Sequence, residues 1–314
     1  MARSVLIIGA NGQDGTILRR VEHRDDRILA VGRYSSSIDG EHGSEGPGYS
    51  PETLRALLER ISDFSPDDVY YLAAAHGAQT TGINENPELN RQRQFIDVEG
   101  LEGLVKTLGH LDKEVGLFFA SSAKVFGAAR LLANEDTPLI PACDYSKFKV
   151  EAMRFLEGLR LPNVSVTTGV LFHHHSPFRT GPYALNLIAA YLAKPQSERS
   201  GSPIHDWSAA GDFSSAFEVC SVARQLVQRR LSGRFVLGSG VSNTLADIRD
   251  VAMRLLGDGL DPYTMPCVGQ GAAIIADTAR LQNFGLRIED KITEVLVSQV
   301  RHLRGEVWPS PGCY

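Results

Sequence analysis

The chain has 314 residues, 43% of them hydrophobic, enough for one large or two modest cores, and a formal net charge of -5. That balance gives no basic footprint for a nucleic acid, and no apolar stretch approaches the roughly 20 residues needed to cross a bilayer. The four cysteines, Cys143, Cys220, Cys267 and Cys313, share no metal-ligand spacing and read as reduced thiols; with a strand starting at once and no leader pattern, a cytoplasmic protein is expected.

The apolar run Val5-Leu6-Ile7-Ile8 predicts a strand buried on both faces, followed by a helix from about Gly15 to Glu22. Residues 27–32 predict a second strand. Ser35 to Ser50, rich in Ser, Gly and charge, reads as a loop. Pro51-Glu52 opens an amphipathic helix with Leu54, Leu57, Leu58 and Ile61 on one face. Strands are predicted at 68–73, 115–120 and 164–172, and helices at 98–108 and 145–159. This alternation implies a parallel sheet with right-handed crossovers. After about residue 173 the pattern loosens into shorter elements, separated by Gly-, Ser- and Pro-containing stretches at 194–203 and 257–271.

Two segments carry chemistry. The first is Gly9-Ala10-Asn11-Gly12-Gln13-Asp14-Gly15, directly after the first strand. Gly9 suits the tight turn, Gly12 lets backbone approach a pyrophosphate, and Gly15 lets the helix pack on the strand. The helix N-terminus then faces the phosphates with unpaired N–H groups. Alone, such a loop is also an ordinary strand-to-helix turn. The second strand ends in Gly32-Arg33-Tyr34-Ser35-Ser36, without the acid that binds the ribose of NAD. Arg33 and the serines favour the 2'-phosphate of NADP, against the reading of a solvated surface arginine.

The second segment is Tyr145-Ser146-Lys147-Phe148-Lys149, about twenty residues after Ser121-Ser122. A tyrosine of pKa about 10 is a poor base near neutrality, and a lysine one helical turn away lowers that value. The phenolate then takes a hydroxyl proton while hydride leaves the same carbon for a nicotinamide, with Ser122 orienting the substrate oxygen. His173-His174-His175 at a strand end is not read as a metal site, because three successive rings cannot face one ion.

These residues resemble the extended short-chain dehydrogenase/reductases acting on nucleotide sugars, most nearly the GDP-mannose 4,6-dehydratase branch. The Gln13-Asp14 pair in the glycine loop is a more specific match than the glycines, joined by Arg33-Tyr34-Ser35-Ser36-Ser37, by 173–179, by His205-Asp206-Trp207 with Asp212-Phe213, and by Asp277 to Arg280 with Phe284-Gly285-Leu286. The resemblance implies a Rossmann-type doubly wound α/β domain over 1–170 and a smaller, mainly substrate-binding region over 171–314, with the chain free to cross between them. It also implies that Gly9, Asn11, Gly12, Gln13, Asp14, Gly15, Arg33, Tyr34, Ser35, Ser36, Leu72, Ala73, Ala74, Lys149, His174 and Arg179 touch NADP, with Ser122, Tyr145 and Lys149 catalytic.

The departures matter as much. Lys124 stands where the dehydratases carry the glutamate that removes the C5 proton and helps expel the C6 hydroxyl. Ser121 to Gly127 looks instead like the sugar 4-epimerases. Gly48-Tyr49-Ser50 replaces the usual adenine-contacting Asp, and the stretch from Gly77 to Asp97 is longer than in the family. The expectation is an NADP(H)-dependent enzyme moving hydride at C4 of a nucleotide-linked sugar, GDP-linked by preference, as epimerase or ketoreductase and as a homodimer or homotetramer. The alternatives are a 4,6-dehydratase in which Glu135 or Asp136 replaces the missing glutamate, and an NADP-sensing binding protein without turnover.

Overall fold

The computed structural model describes residues 2–21, 26–39, 46–75, 87–127, 131–259 and 273–306. In chain order the first elements are β1 (Ser4–Ile8), α1 (Gln13–Val21), β2 (Arg27–Val31), β3 (Ser35–Asp39), β4 (Gly46–Pro47), α2 (Leu54–Phe64) and β5 (Asp68–Tyr71). Next come α3 (Pro87–Gln94), a π-helical turn (Phe95–Glu99), α4 (Gly100–Gly109), β6 (Val115–Ser122), a short helical turn (Ala123–Phe126), β7 (Leu131–Ala133), α5 (Asp144–Gly158), β8 (Val164–Leu171) and β9 (His173–His175). The last are α6 (Ala184–Ala193), β10 (Ala210–Ser215), α7 (Ala216–Gln228), β11 (Gly233–Leu237), β12 (Ser242–Thr244), α8 (Leu245–Leu256), β13 (Ile274–Ala276), α9 (Ala279–Asn283) and α10 (Ile292–Leu303).

The chain forms two compact units. The first comprises residues 1–127, 135–171 and 220–235; the second comprises 128–134, 172–219 and 236–314. In the first, eight strands run in the order β11-β8-β6-β5-β1-β2-β3-β4. The pairs β2/β1, β1/β5, β5/β6 and β6/β8 are parallel, while β3 and β4 add an antiparallel edge. Val5, Leu6, Ile7 and Ile8 are fully buried, as parallel strands covered on both faces require.

After β1 the chain goes to β2 on one side, then to β5 on the other. The carboxyl ends of β1 and β5 therefore flank a topological switch point, where sheets of this kind open a crevice. At the amino end of β5, the buried Asp68 carboxylate takes Arg3 at 2.5 Å and Arg230 at 2.6 Å. A fully buried carboxylate needs such partners.

Several predicted boundaries move. Ser35 to Asp39 is a strand paired with β2, because an extended edge can carry polar residues on one face; Ser36 turns inward and Ser35 outward. The helix opened at Pro51-Glu52 begins at Leu54 after a turn. The strand expected over 68–73 ends at Tyr71. Helix also begins before residue 98, at Pro87, in a segment too polar to show an apolar stripe.

In the second unit, β12-β10-β9 and β13-β7 form two small sheets. Helices α6, α8 and α10 supply its core, with Ile188, Leu192, Ile248, Leu296 and Trp207 buried together. Asp212, fully buried in β10, accepts hydrogen bonds from the backbone N–H groups of Ser239, Gly240 and Ala276 at 2.8, 2.9 and 3.1 Å. One carboxylate thus satisfies donors from separate segments of this unit.

Candidate active site

The glycine loop leaves β1 with Gly9 at φ +94°, a conformation that favours glycine. A Cβ there would lie 2.8 Å from the Ala73 nitrogen; one on Gly15 would lie 2.6 Å from the Ala10 Cα. Both positions are closed by backbone. Gly12 is different: its nearest neighbour would be the Gly9 carbonyl at 3.4 Å, so its outer side is open. The N–H groups of Gly9 and Ala10 donate to the Val31 carbonyl at 2.9 and 3.1 Å, tying the loop to the end of β2. Asn11 lies over Gly32, whose Cβ would meet its amide at 2.6 Å. The amide of Gln13 donates to Asp14 at 3.1 Å in the first turn of α1. Open glycine, helix N-terminus and switch point fit a dinucleotide pyrophosphate.

At the end of β2, Arg33, Tyr34 and Ser35 are exposed, and the Arg33 guanidinium lies 6.0 Å from the Tyr34 ring centre. Ser36 is 1% exposed with its hydroxyl beside Gly46, so it is withdrawn from this patch. Leu72, Ala73 and Ala74 follow β5 and are half-buried. His174 and Arg179 belong to the second unit, where Arg179 donates to the His174 carbonyl at 3.3 Å and lies 4.0 Å from the Tyr183 ring centre. The three histidines diverge: His173 stacks on Phe213, His174 bonds the Phe172 carbonyl, and His175 meets Gln299 at 2.8 Å.

Ser122 ends β6 and accepts the Lys124 N–H at 3.3 Å, capping the short helical turn. Its neighbour Ser121 points inward to Met153 at 3.0 Å, which leaves Ser122 as the serine of the site. Tyr145 and Lys149 lie one turn apart at the start of α5, whose N-terminus is fixed by reciprocal bonds between Cys143 and Ser146. Ser122 hydrogen-bonds Tyr145, so the three expected residues do converge.

Two residues that sequence reasoning missed complete the cluster. Asp97 meets the Lys149 ammonium at 2.7 Å, and both side chains are at most 1% exposed. Arg93, fully buried, lies with its guanidinium 5.8 Å from the Tyr145 ring centre. Its Nε donates to the Ala75 carbonyl at 3.1 Å and its Nη1 to Asn90 at 3.0 Å; Asn90 in turn donates to Asp144 at 3.0 Å. The available signal was an acid set among Phe95, Ile96 and Val98 in an otherwise apolar run, since a buried charge needs a partner.

The π-helical turn that carries Asp97 has identifiable supports. The Tyr71 hydroxyl donates to the Ile96 carbonyl and accepts from Tyr49 at 2.5 Å. A Cβ on Gly100 would fall 2.2 Å from the Tyr49 hydroxyl, which accounts for glycine there. Tyr49, in place of the family's Asp, is thus a buried brace, and π-turns of this kind are frequent at functional sites.

Burial, and then the Asp97 carboxylate, hold the Tyr145 phenol above its ordinary value, against the pull of Ser122 and Arg93. Lys149, whose charge is expected from its spacing to lower the phenol, is engaged here by Asp97 at 2.7 Å. Burial likewise pushes the Asp97 carboxyl up, opposed by Lys149 and Arg93. The exposed Lys124 reaches 6.0 Å from the Tyr145 ring centre. Of the two suggested replacement acids, Asp136 is exposed, and Glu135 is half-buried with its carbonyl accepting from Arg234 at 2.8 Å. Of the stretch from Gly77 to Asp97, residues 77–86 lie outside the described residues, and the rest forms α3 and the π-helical turn. A groove of about 550 Å³ lined by Leu156, Arg160, Pro162 and Val164 lies at the far end of α5 from Tyr145 and is not part of this site.

The sequence model of the GDP-mannose 4,6 dehydratase family matches residues 6–270. The chain belongs to this family. Among curated relatives, the GDP-mannose 4,6 dehydratase of Drosophila melanogaster is 22% identical over 276 residues, 79% of this chain and 67% of that protein. The human protein of the same name is 26% identical over 211 residues, 60% of this chain and 55% of its own length, so the match takes in little more than half of the human relative. Two solved structures share the fold of this family member. One is RMD from Pseudomonas aeruginosa complexed with NADPH (TM-score 0.73, 19% identity, 98% of this chain and 99% of that one). The other is UDP-N-acetylglucosamine 4-epimerase from Methanobrevibacter ruminantium M1 in complex with UDP-N-acetylmuramic acid (TM-score 0.76, 18% identity, 96% and 97%).

Proposed function

We propose that the protein is an NADP(H)-dependent enzyme that moves hydride at C4 of a nucleotide-linked sugar, as an epimerase or ketoreductase. The observation that carries this reading is the convergence of Ser122, Tyr145 and Lys149 beside the crevice that holds the glycine loop. The loop residues Gly9 to Gly15 would hold the pyrophosphate, Arg33 the 2'-phosphate, and Lys149 the nicotinamide ribose; His174 and Arg179 are assigned to the same group by family resemblance alone. When bound, the nicotinamide supplies the hydride acceptor or donor. Tyr145 removes or returns the proton at the sugar hydroxyl oxygen, and Ser122 orients that oxygen.

Lys124 decides between reactions. Removal of the C5 proton and departure of the C6 hydroxyl call for a carboxylate, and an exposed ammonium does not serve both steps. Membership of the dehydratase family is the observation on the other side, and it makes dehydration the second reading, with Glu135 or Asp136 as the acid. A GDP-sugar is the first substrate to test, on the same ground. Incubation of wild-type protein with GDP-, UDP-, CDP- and dTDP-sugars and NADP(H), read by mass spectrometry, separates the cases. Epimerised or hydride-exchanged sugar without loss of water is expected. Loss of one water from GDP-mannose, surviving removal of Glu135 and Asp136, would sink the redox assignment. Binding of NADP(H) with no sugar turned over would favour a sensing role.

A further inference from the structure

Resting on the reading of Tyr145 as the proton-transfer group, we infer that Arg93 and Asp97 are opposed positioning residues: the carboxylate spends the charge of Lys149, and the buried guanidinium restores a cation at the phenol. Among the described residues, titratable and charged groups face Tyr145 from several elements. Lys149 and Cys143 come from its own helix and N-cap, Ser122 and Lys124 from the turn after β6, Arg93 from α3, and Asp97 from the π-helical turn. Lys149 lies 6.0 Å from the ring centre but only 2.7 Å from Asp97, so its field at the phenol is largely cancelled. Arg93 is as near the ring, at 5.8 Å, and is fully buried, where charge is least screened. Lys124, at 6.0 Å, is exposed and acts through water.

The guanidinium is also held in place. Bonds to the Ala75 carbonyl and to Asn90 fix it from the chain that leaves β5 and from the preceding turn of α3. An arginine cannot shed its proton in a protein, whereas the buried Asp97 can gain one. The asymmetry matters: protonation of Asp97 would free Lys149 for the phenol, while Arg93 stays a constant cation. Asp97 also keeps one carboxylate oxygen, Oδ2, buried without a hydrogen-bond partner among the described residues. Burial disfavours the charged carboxylate and so favours its protonated form, against the opposing pull of Lys149 and Arg93.

The test reads the phenol directly, without needing a substrate. 3,5-Difluorotyrosine placed at position 145 of the full chain lowers the phenol's own midpoint, and its fluorine resonance reports ionisation across pH. Arg93→Met is expected to cut the phenolate-to-phenol ratio at a given pH by about tenfold, one unit of pKa. Arg93→Lys should recover at least half of that shift. Asp97→Asn should move the ratio about tenfold the other way. Opposite displacements are not what loosened packing produces. If Arg93→Met does not fold, the pair Arg93→Lys (within threefold of wild type) and Asp97→Asn (about tenfold toward phenolate) carries the same test. The inference is overturned if Asp97→Asn leaves the ratio unmoved, if both variants shift it the same way, or if the phenol stays protonated in all proteins. A wild-type protein without hydride transfer would remove the proposed function while leaving this titration readable.

Discussion

At the scale of single residues, the assignments separate by what each substitution should leave intact. Arg33 is exposed at the end of β2, so Arg33→Ala should fold normally and lose its preference for NADP(H) over NAD(H). A charge-assisted contact is worth about 1.5–3 kcal/mol, hence roughly tenfold or more in affinity by fluorescence titration. Equal wild-type affinity for the two dinucleotides would show the assignment to be wrong. Tyr145→Phe should keep dinucleotide affinity and abolish turnover. Lys149→Met removes one partner of a buried pair and should destabilise by about 3–5 kcal/mol, less whatever Asp97 recovers by protonation. Adding Asp97→Asn should return much of that stability without restoring turnover, as denaturant titration and assay together would show. The serine, tyrosine and lysine were legible because a strand end and an i,i+4 spacing are local patterns. Asp97 was not, because its partner is 52 positions away and only the packing of α5 against the π-helical turn brings them together.

At the scale of elements, the turn from β1 into α1 contains three glycines with two different duties. Gly15→Ala drives a Cβ to 2.6 Å from backbone and should cost about 1–3 kcal/mol or more in thermal or urea unfolding. Gly12→Ala meets nothing nearer than 3.4 Å and should unfold like wild type, yet bind NADP(H) at least tenfold more weakly. Unchanged affinity in Gly12→Ala would mean that the loop is only a turn. This strand–loop–helix was readable because glycine and a buried apolar run are both unambiguous. The β3 edge was not, since a serine-rich strand and a serine-rich loop look alike until a partner strand fixes the register. Nor was α3, whose mixed polar face gives no period. Tyr49 is the sharpest case: as a missing Asp it suggested a gap in cofactor recognition, whereas its hydroxyl braces Tyr71 beneath the π-helical turn.

At the scale of the whole molecule, acid should act unevenly. Burial pushes His175, in the second unit, down to about 4 from an ordinary value of about 6.5. Its folded value is depressed, so the unfolded chain takes up the proton first. Stability is therefore full above about pH 6.5 and falls as pH drops toward 4, by up to about 3 kcal/mol. Urea unfolding followed by Trp207 fluorescence at pH 7 and pH 4.5 should show this, and His175→Gln should flatten the difference.

Neither unit is a continuous stretch of chain, and β11, which borders β8 in the large sheet, begins only at residue 233. During synthesis at about 5–20 residues per second, β8 therefore leaves the ribosome several seconds before its neighbour exists. Its sequence, Val164-Ser-Val-Thr-Thr-Gly-Val-Leu171, holds no charge and no proline, and so has none of the usual protection of an open edge. A nascent chain halted at residue 171 should sediment as aggregate or be held by chaperones, while one halted beyond β11 should not. The same interval sets where slow codons would be tolerated in this message: after the β11 segment, and not between it and β8.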